Sequence, residues 1–318
     1  MKRILLLRPR GFCAGVVRAI DIVNIALDAY GPPIYVRKEI VHNQHVVEEL
    51  SGRGAVFVDS CGEVPVGSRI IFSAHGVSPQ VRQEAQQRQL RLIDATCPLV
   101  TKVHLEAIKF ARLGYTIILI GHRDHDEVIG TLGEAPDRML LVSSEEEAER
   151  VQVPDPSRVA YLTQTTLSLD EAAGIIACLR RRFPAIQGPP AQDICYATEN
   201  RQRAVKSVAL NCDLLLVVGS GNSSNSKRLV EVADKANLPG HLIEDERAIN
   251  LDWLKKVQIV ALTAGASAPE HLVQGVISFL QQHGFAALEE VEVIQEDVRF
   301  ALPAELACLQ ARPAAELA

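Results

Sequence analysis

The sequence predicts an α/β protein built from three similar units, each a mostly parallel sheet covered by helices. Strand-like and helix-like runs alternate along the whole chain, the order that produces parallel strands joined by crossover helices. The pattern also restarts twice, each time at a cysteine: Cys97 follows Cys13 by 84 residues, and Cys195 follows Cys97 by 98. That period exceeds the usual solenoid repeats and points to three domains rather than a stacked array. Finally, polar loops recur at matched distances: His42 lies 29 residues after Cys13, His125 lies 28 after Cys97, and Ser223 lies 28 after Cys195.

In the first unit RILLLRP reads as a strand leading to Cys13. Val16, Ile20, Val23 and Leu27 then share one helical face, closed by Gly31 and Pro32. In the second, LRLIDAT leads to Cys97, Pro98 opens a helix at a first-turn position that needs no N–H partner, and Gly114 ends it. In the third, AQDI leads to Cys195 and a helix from about Thr198 to Leu210, the weakest periodicity of the three. A second strand follows each helix: PIYV, TIILIG and LLLVVG. Later strands, RIIFSAHG, VAYLTQTT and VQIVALTAGAS, end in imidazole or hydroxyl residues. His75, Thr165 and Ser267 thus stand at comparable strand ends, 62, 68 and 72 residues beyond their cysteines. The expected domains are 1–96, 97–194 and 195–283, with 284–318 as a C-terminal extension. In that extension EEVEVI and VRFALP read as strand-like, ahead of an Ala-rich end without a motif.

The chain has 318 residues, 47% of them hydrophobic, enough to bury a core in two or three domains. Its 33 Lys and Arg face 39 Asp and Glu, a formal net charge of -6. No general attraction to nucleic acid or anionic membrane is expected, so an anionic ligand must be held by a local site. The start, MKRILLLRPRGFCAGV, reaches Arg8 and Arg10 after too few apolar residues for a signal peptide. No run of about 18 apolar residues exists to span a bilayer, and a cytoplasmic location is expected. The seven cysteines are scattered, without a CxxC pair, which argues against a zinc ribbon, a thioredoxin-type motif or a local cluster-binding run. A disulfide framework is not expected in a cytosolic chain of this size. Cys178, Cys212 and Cys308 read as small buried hydrophobes, and Cys61, in the polar turn DSCGEVP, as a loop residue.

Ligands of parallel α/β sheets bind beyond the carboxyl ends of the strands. If three such units face a common axis, Cys13, Cys97 and Cys195 meet in one pocket, each at a helix N-terminus whose dipole favours thiolate. Three thiolates suit an iron-sulfur cluster: four would saturate a four-iron cubane, whereas three leave one iron open to a substrate oxygen as a Lewis acid. Zinc is the rival, although three-thiolate zinc is usually completed by a fourth protein ligand. Ser223, Ser224, Asn225 and Ser226 follow GSGN at the start of the helix KRLVEVADKA. They offer backbone N–H groups, hydroxyls and an amide to the oxygens of a diphosphate. His42, His75 and His125 complete the charge balance, because the loops supply few Arg or Lys. Asp124 and Asp126, flanking Glu127, read as a solvated loop. His45, His104, His122, His241, His271 and His283 carry no functional assignment.

The segments PRGFCAGV, VHN, FSAHGVS, DATCPLVTKVH, TQTTLS, DICYATENRQ, GSGNSSNS and TAGASAP, in this order from about residue 3 to 283, resemble the LytB or IspH family of 4-hydroxy-3-methylbut-2-enyl diphosphate reductases. The resemblance implies a trefoil of three α/β domains around one [4Fe-4S] cluster, ligated by Cys13, Cys97 and Cys195 with an open fourth iron. It implies reductive loss of the allylic hydroxyl to give isopentenyl and dimethylallyl diphosphates, the last step of the non-mevalonate pathway, with electrons from reduced ferredoxin or flavodoxin. By carry-over, Glu127 aided by Thr165 delivers the proton that releases water. The diphosphate falls to His42, His75, His125, Ser223, Ser224, Asn225 and Ser267. Where many relatives read GHxGHPEVEGT this chain reads GHRDHDEVIGT, with Asp124, Asp126 and Ile129 as departures. The Glu127 loop loses the rigidity of a proline and gains charge. Two other readings are a metal-dependent phosphohydrolase with His42, His75 and His125 as ligands, and a non-catalytic cluster-bearing redox sensor.

Overall fold

The structure, a computed structural model, describes residues 2–310. In chain order the elements begin with β1 (Arg3–Arg8), α1 (Ala14–Tyr30), β2 (Ile34–Arg37), α2 (Gln44–Gly52), β3 (Ala55–Val58), β4 (Arg69–Phe72), α3 (Pro79–Gln87), β5 (Arg91–Asp94) and α4 (Pro98–Arg112). Then come β6 (Thr116–Ile120), α5 (Asp126–Leu132), β7 (Met139–Val142), α6 (Glu145–Arg150), β8 (Val159–Thr163) and α7 (Leu169–Arg182). The remainder is α8 (Tyr196–Val208), β9 (Leu214–Val218), α9 (Ser224–Lys235), β10 (Gly240–Ile243), β11 (Ile259–Ala264), α10 (Glu270–Gln282), β12 (Ala287–Glu292) and α11 (Ala304–Gln310). By packing they form two compact units.

One unit holds the chain up to Cys13, Thr165–Glu171 and Ile194–Val298. Its sheet has the order β10-β9-β11-β1-β12, and every neighbouring pair is parallel. Ile4 to Leu7 and all of β9 are buried, because both faces of the sheet are covered and consecutive side chains point to opposite faces. Leu214, Leu216 and Val218 meet Val273 and Ile277 of α10, while Leu215 and Val217 meet Val205 of α8 and Leu229 of α9. Each such aliphatic contributes roughly 1.5–3 kcal/mol on burial. The edge strand β12 instead exposes Glu289, Glu290 and Glu292, charges that discourage a further strand from adding there.

The other unit holds Ala14–Gln164, Ala172–Asp193 and the chain from Arg299. It contains a four-stranded sheet, β3-β2-β4-β5, and a three-stranded sheet, β7-β6-β8, both wholly parallel. Ile70, Phe72, Val77 and Ala85 are core residues of the first, and Val103, Ala107, Ile117, Leu119 and Leu162 of the second.

The expected class, α/β with parallel sheets, is the observed one. Particular elements differ. β1, the strand ahead of Cys13, pairs with β11 and β12 and so belongs to the sheet of the third stretch. AQDI is not a strand: Asp193 spends its carboxylate on the Thr163 N–H at 2.9 Å, and α8 begins at Tyr196, ahead of the expected Thr198, and ends at Val208. β12 takes EEVE, but VRFALP forms no strand. Its Ala301 carbonyl accepts from Arg18 Nε at 2.7 Å, and Pro303 has no N–H to give. Of the Ala-rich end, α11 is seen and the rest lies outside the described residues. Cys61 does lie in the turn between β3 and β4, but it opens a 3-10 turn, Cys61–Glu63, and is fully buried in the core with Val58 and Val64. Cys178 is buried as expected, whereas Cys212 is half-buried and Cys308 exposed. Among the described residues no helix is long and apolar enough to cross a membrane.

Candidate functional site

In the second unit the loops beyond β2, β4 and β5 continue the sheet's own register. The Ala74 N–H donates to the Ile40 carbonyl at 3.1 Å, and the Cys97 N–H donates to the Ala74 carbonyl at 3.0 Å. That ladder sets His42, His75 and Cys97 on neighbouring strand ends. Asn43, just after His42, caps α2 by accepting the Val46 N–H at 3.2 Å, which fixes where the loop stops. Cys97 is the N-cap of α4, with Pro98 in its first turn. Arg18 donates to the Thr96 carbonyl at 3.0 Å beside it. Burial lowers the Arg18 pKa, while the Asp94 and Cys97 charges raise it, so a cation stands close to this thiol.

His42, His75 and His125 come together. The His42 and His75 rings stack with centroids 3.9 Å apart, and His125 meets them edge-on at 5.4 and 5.8 Å. Each is oriented through Nδ1: His42 by Glu39 at 3.1 Å, His75 by the Ser73 hydroxyl at 3.3 Å, and His125 by the Glu127 N–H at 3.2 Å. Because Nδ1 of His125 accepts a proton donor, its neutral ring carries hydrogen on Nε2. Burial first, and then the charges of His42 and His125, holds the His75 pKa well below its ordinary value. Glu127 is buried, at 2% exposure, in the first turn of α5.

Sequence reasoning missed Asp126. It was read as part of a solvated loop, yet it stands with His42 and His75 so that one ligand atom from each lies within 4.8 Å of the others.

In the first unit the ladder also runs past the strands. The Gly11 N–H donates to the Ala264 carbonyl at 3.2 Å and the Cys13 N–H to the Ala266 carbonyl at 3.1 Å, so Cys13 and the Ser267 loop are tied together. The fully buried Arg201 holds the Gly11 carbonyl at 2.7 Å and pairs with Glu296 at 3.0 Å. Cys195 caps α8. Its Sγ accepts the Thr198 N–H at 3.4 Å and lies 3.1 Å from the Thr198 hydroxyl, while its N–H donates to the Thr165 carbonyl at 3.0 Å. Asn225 links this to the Cys13 side: its amide N–H donates to the Thr198 hydroxyl at 3.4 Å, and its Oδ1 accepts the Ala266 N–H at 2.9 Å. Ser223 caps α9 by accepting from Ser226, and Ser224 donates to the Thr166 carbonyl at 3.2 Å. Cys13, Cys195, Thr165, Ser223, Ser224, Asn225 and Ser267 thus share one network. Thr198, which sequence reasoning passed over, is its hinge; a hydroxyl at the third helical position after a cysteine was the available signal. None of the described cysteines is in a disulfide.

Wholly parallel sheets whose strand ends carry half-buried thiols at helix N-termini, with imidazole, hydroxyl and amide loops alongside, define an α/β protein with its chemistry gathered at the carboxyl ends of its strands. The profile of the family described as LytB protein matches residues 4–281, and the chain belongs to that family. It is 57% identical over 306 residues to the 4-hydroxy-3-methylbut-2-enyl diphosphate reductase of Acidothermus cellulolyticus, covering 96% of this chain and 90% of the relative. It is 52% identical to the enzyme of that name from Rhodopirellula baltica, with 98% of both chains covered. The structure of the E-1-hydroxy-2-methyl-but-2-enyl-4-diphosphate reductase from Plasmodium falciparum superposes with a TM-score of 0.94 at 41% identity, over 97% of this chain and 98% of that one.

Proposed function

We propose that the chain is a 4-hydroxy-3-methylbut-2-enyl diphosphate reductase, acting in the cytoplasm at the last step of the non-mevalonate isoprenoid route. What carries the reading is that Cys13, Cys97 and Cys195 each stand directly before a helix, with imidazole, hydroxyl and amide side chains held in the loops at the helix starts and strand ends. Near-full-length relatives that bear this name support it.

A [4Fe-4S] cluster held by Cys13, Cys97 and Cys195 fits the donor set. The three thiols are outside any disulfide, each at the start of a helix, with Thr198 donating to one and Arg18 beside another. When bound, such a cluster supplies an iron without a protein ligand, a Lewis acid toward the substrate hydroxyl, and takes electrons singly from reduced ferredoxin or flavodoxin. In the net reaction the allylic C–O bond breaks, two electrons and two protons are taken up, and water leaves with either isopentenyl or dimethylallyl diphosphate. His42, His75 and His125 donate to diphosphate oxygens, with Ser223, Ser224, Asn225 and Ser267 as further donors. The His125 tautomer, fixed by the Glu127 N–H, aims a proton outward from Nε2. Glu127 gives the hydroxyl the proton with which it departs, and its burial keeps that proton from bulk water. Thr165, tied through its carbonyl to the Cys195 N–H, holds the substrate hydroxyl.

The test is anaerobic purification, an absorption spectrum, an iron count and turnover with and without a one-electron reductant. The reading expects absorbance near roughly 400 nm, about four irons per chain and strictly reductant-dependent loss of substrate. Colourless protein, or turnover without reductant, removes it.

A further inference from the structure

Among the largest wholly buried side chains of the described residues, Arg201 on α8 is the one that carries charge. A buried ion pair gains little net stability over an apolar side chain of similar volume, so stability alone does not account for the guanidinium. Its contacts give another reason. Nη2 donates to the Gly11 carbonyl at 2.7 Å, and Nη1 donates to the Ala197 carbonyl at 2.9 Å. Gly11 lies two residues before Cys13, and Ala197 two residues after Cys195. One side chain thus ties the backbone leading into one thiol to the backbone leading away from the other. The Gly11 segment has few other options. Its N–H is committed to the Ala264 carbonyl at 3.2 Å, and a Cβ on Gly11, at φ +65, would lie 3.2 Å from the Ala268 carbonyl oxygen.

The counter-charge comes from far along the chain. Glu296 follows β12 in a stretch without regular structure, anchored where the Val293 N–H donates to the Arg8 carbonyl at 3.1 Å. Its carboxylate accepts from Arg201 Nη1 at 3.0 Å and from the Asn200 amide at 3.1 Å. The C-terminal extension, which carries no motif, therefore supplies the carboxylate that the buried guanidinium needs. Charges away from water are weakly screened, and net charge nearby is one of the quantities that sets the potential of an iron-sulfur cluster.

We propose that Arg201 and Glu296 are positioning residues for Cys13 and Cys195, and that their opposed charges set the potential at which a cluster held by these thiols accepts an electron. The proposal rests on the cluster reading above. The guanidinium favours the reduced form, which carries one more negative charge, and the carboxylate favours the oxidised form.

The experiment is a mediated redox titration of the anaerobic holoprotein, followed by the cluster absorbance, beside Arg201→Met, Glu296→Gln, the double variant and Arg203→Met. Arg203 lies on the same helix but is exposed, paired with Glu199 at 2.5 Å, and its variant should leave the potential in place. Arg201→Met should make reduction harder and Glu296→Gln easier, each by about tenfold in the reduced-to-oxidised ratio at fixed electrode potential, or about 59 mV for one electron. The double variant should return close to the unaltered protein, because the two charges cancel. A purely structural role gives a different pattern: both single variants shift the potential the same way, and the double variant shifts it furthest. That pattern, unmoved potentials in both single variants, or an equal shift in Arg203→Met overturns the proposal. Glu296→Gln keeps the shape and an acceptor oxygen, so it decides alone if Arg201→Met fails to fold or to hold a cluster. Unaltered protein without cluster absorbance fails the cluster reading and takes this proposal with it, whereas a cluster indifferent to both charges fails the proposal alone.

Discussion

Substituting Gly76 by alanine probes the packing that sets His75. Gly76 has φ +79, and a Cβ there would lie 3.1 Å from His104 Nε2, 3.2 Å from Val100 Cγ1 and 3.3 Å from Thr96 Cγ2. Gly67 has the same φ of +79 with nothing within 4 Å, and so serves as a reference. The left-handed backbone costs an alanine roughly 1–2 kcal/mol at either position. At Gly76 the neighbours must also give way. Val100 and His104 are buried on α4, and the imidazole is pinned through Nδ1 by the Glu134 carboxylate at 2.7 Å, so neither swings aside. Overpacking of this kind adds roughly 1–3 kcal/mol. Gly67→Ala should therefore lose about 1–2 kcal/mol and Gly76→Ala about 2–5 kcal/mol. Urea unfolding read as the change in midpoint at constant slope measures both. Because Gly76 adjoins His75, only its variant should also weaken binding of inorganic diphosphate. Equal losses of stability in the two variants would refute the packing described.

Stability should fall on acidification. The His75 pKa is depressed in the fold, so below the unfolded value of roughly 6.5 the unfolded chain binds the extra proton and is favoured. Urea midpoints at pH 5.5 and 7.5 should show the loss at the lower pH, and His75→Gln should flatten it; an unchanged slope in that variant assigns the effect elsewhere. Glu127→Gln should keep the cluster spectrum and bind substrate while turnover drops at least about 100-fold; unaltered rates would remove Glu127 from proton delivery. Cys13→Ala should lose the absorbance near roughly 400 nm, whereas Cys178→Ala, whose thiol sits in a core 33 residues from its Glu145 carbonyl partner, should retain it.

What the sequence made legible follows local rules. Apolar runs gave strands, Pro98 opened α4, and hydroxyl or imidazole residues directly after apolar runs marked the strand ends that form the two networks. What escaped depends on long-range pairing. β1 joins β11 at the register Arg3 to Ile259, a partner no local pattern names. Cys61 looked polar by its neighbours, yet a single 3-10 turn rotates it into the core, where burial pushes its thiol pKa up. The supporting oxygens of Glu39 and Ser73 are equally invisible in a linear reading, because each acts by direction rather than by residue type, whereas the Thr198 hydroxyl left a signal in its spacing from Cys195.

Asp126 shows how such a support changes chemistry. A chain of net charge -6 that is to hold a diphosphate lacks a favourable general field, so affinity must come from directed donors. The imidazole cluster offers His42, His75 and His125, and His75 resists protonation because burial and two neighbouring rings oppose it. Adding the carboxylate of Asp126 to the same cluster makes the local balance less favourable to an anion, unless positive charge arrives with the ligand. A proton on His75 is the expensive route, since the surroundings that depress its pKa must be overcome. Directed hydrogen bonds must therefore outweigh that carboxylate, so Asp126→Asn should tighten binding of inorganic diphosphate in a calorimetric titration, and unchanged or weaker binding would refute the charge argument.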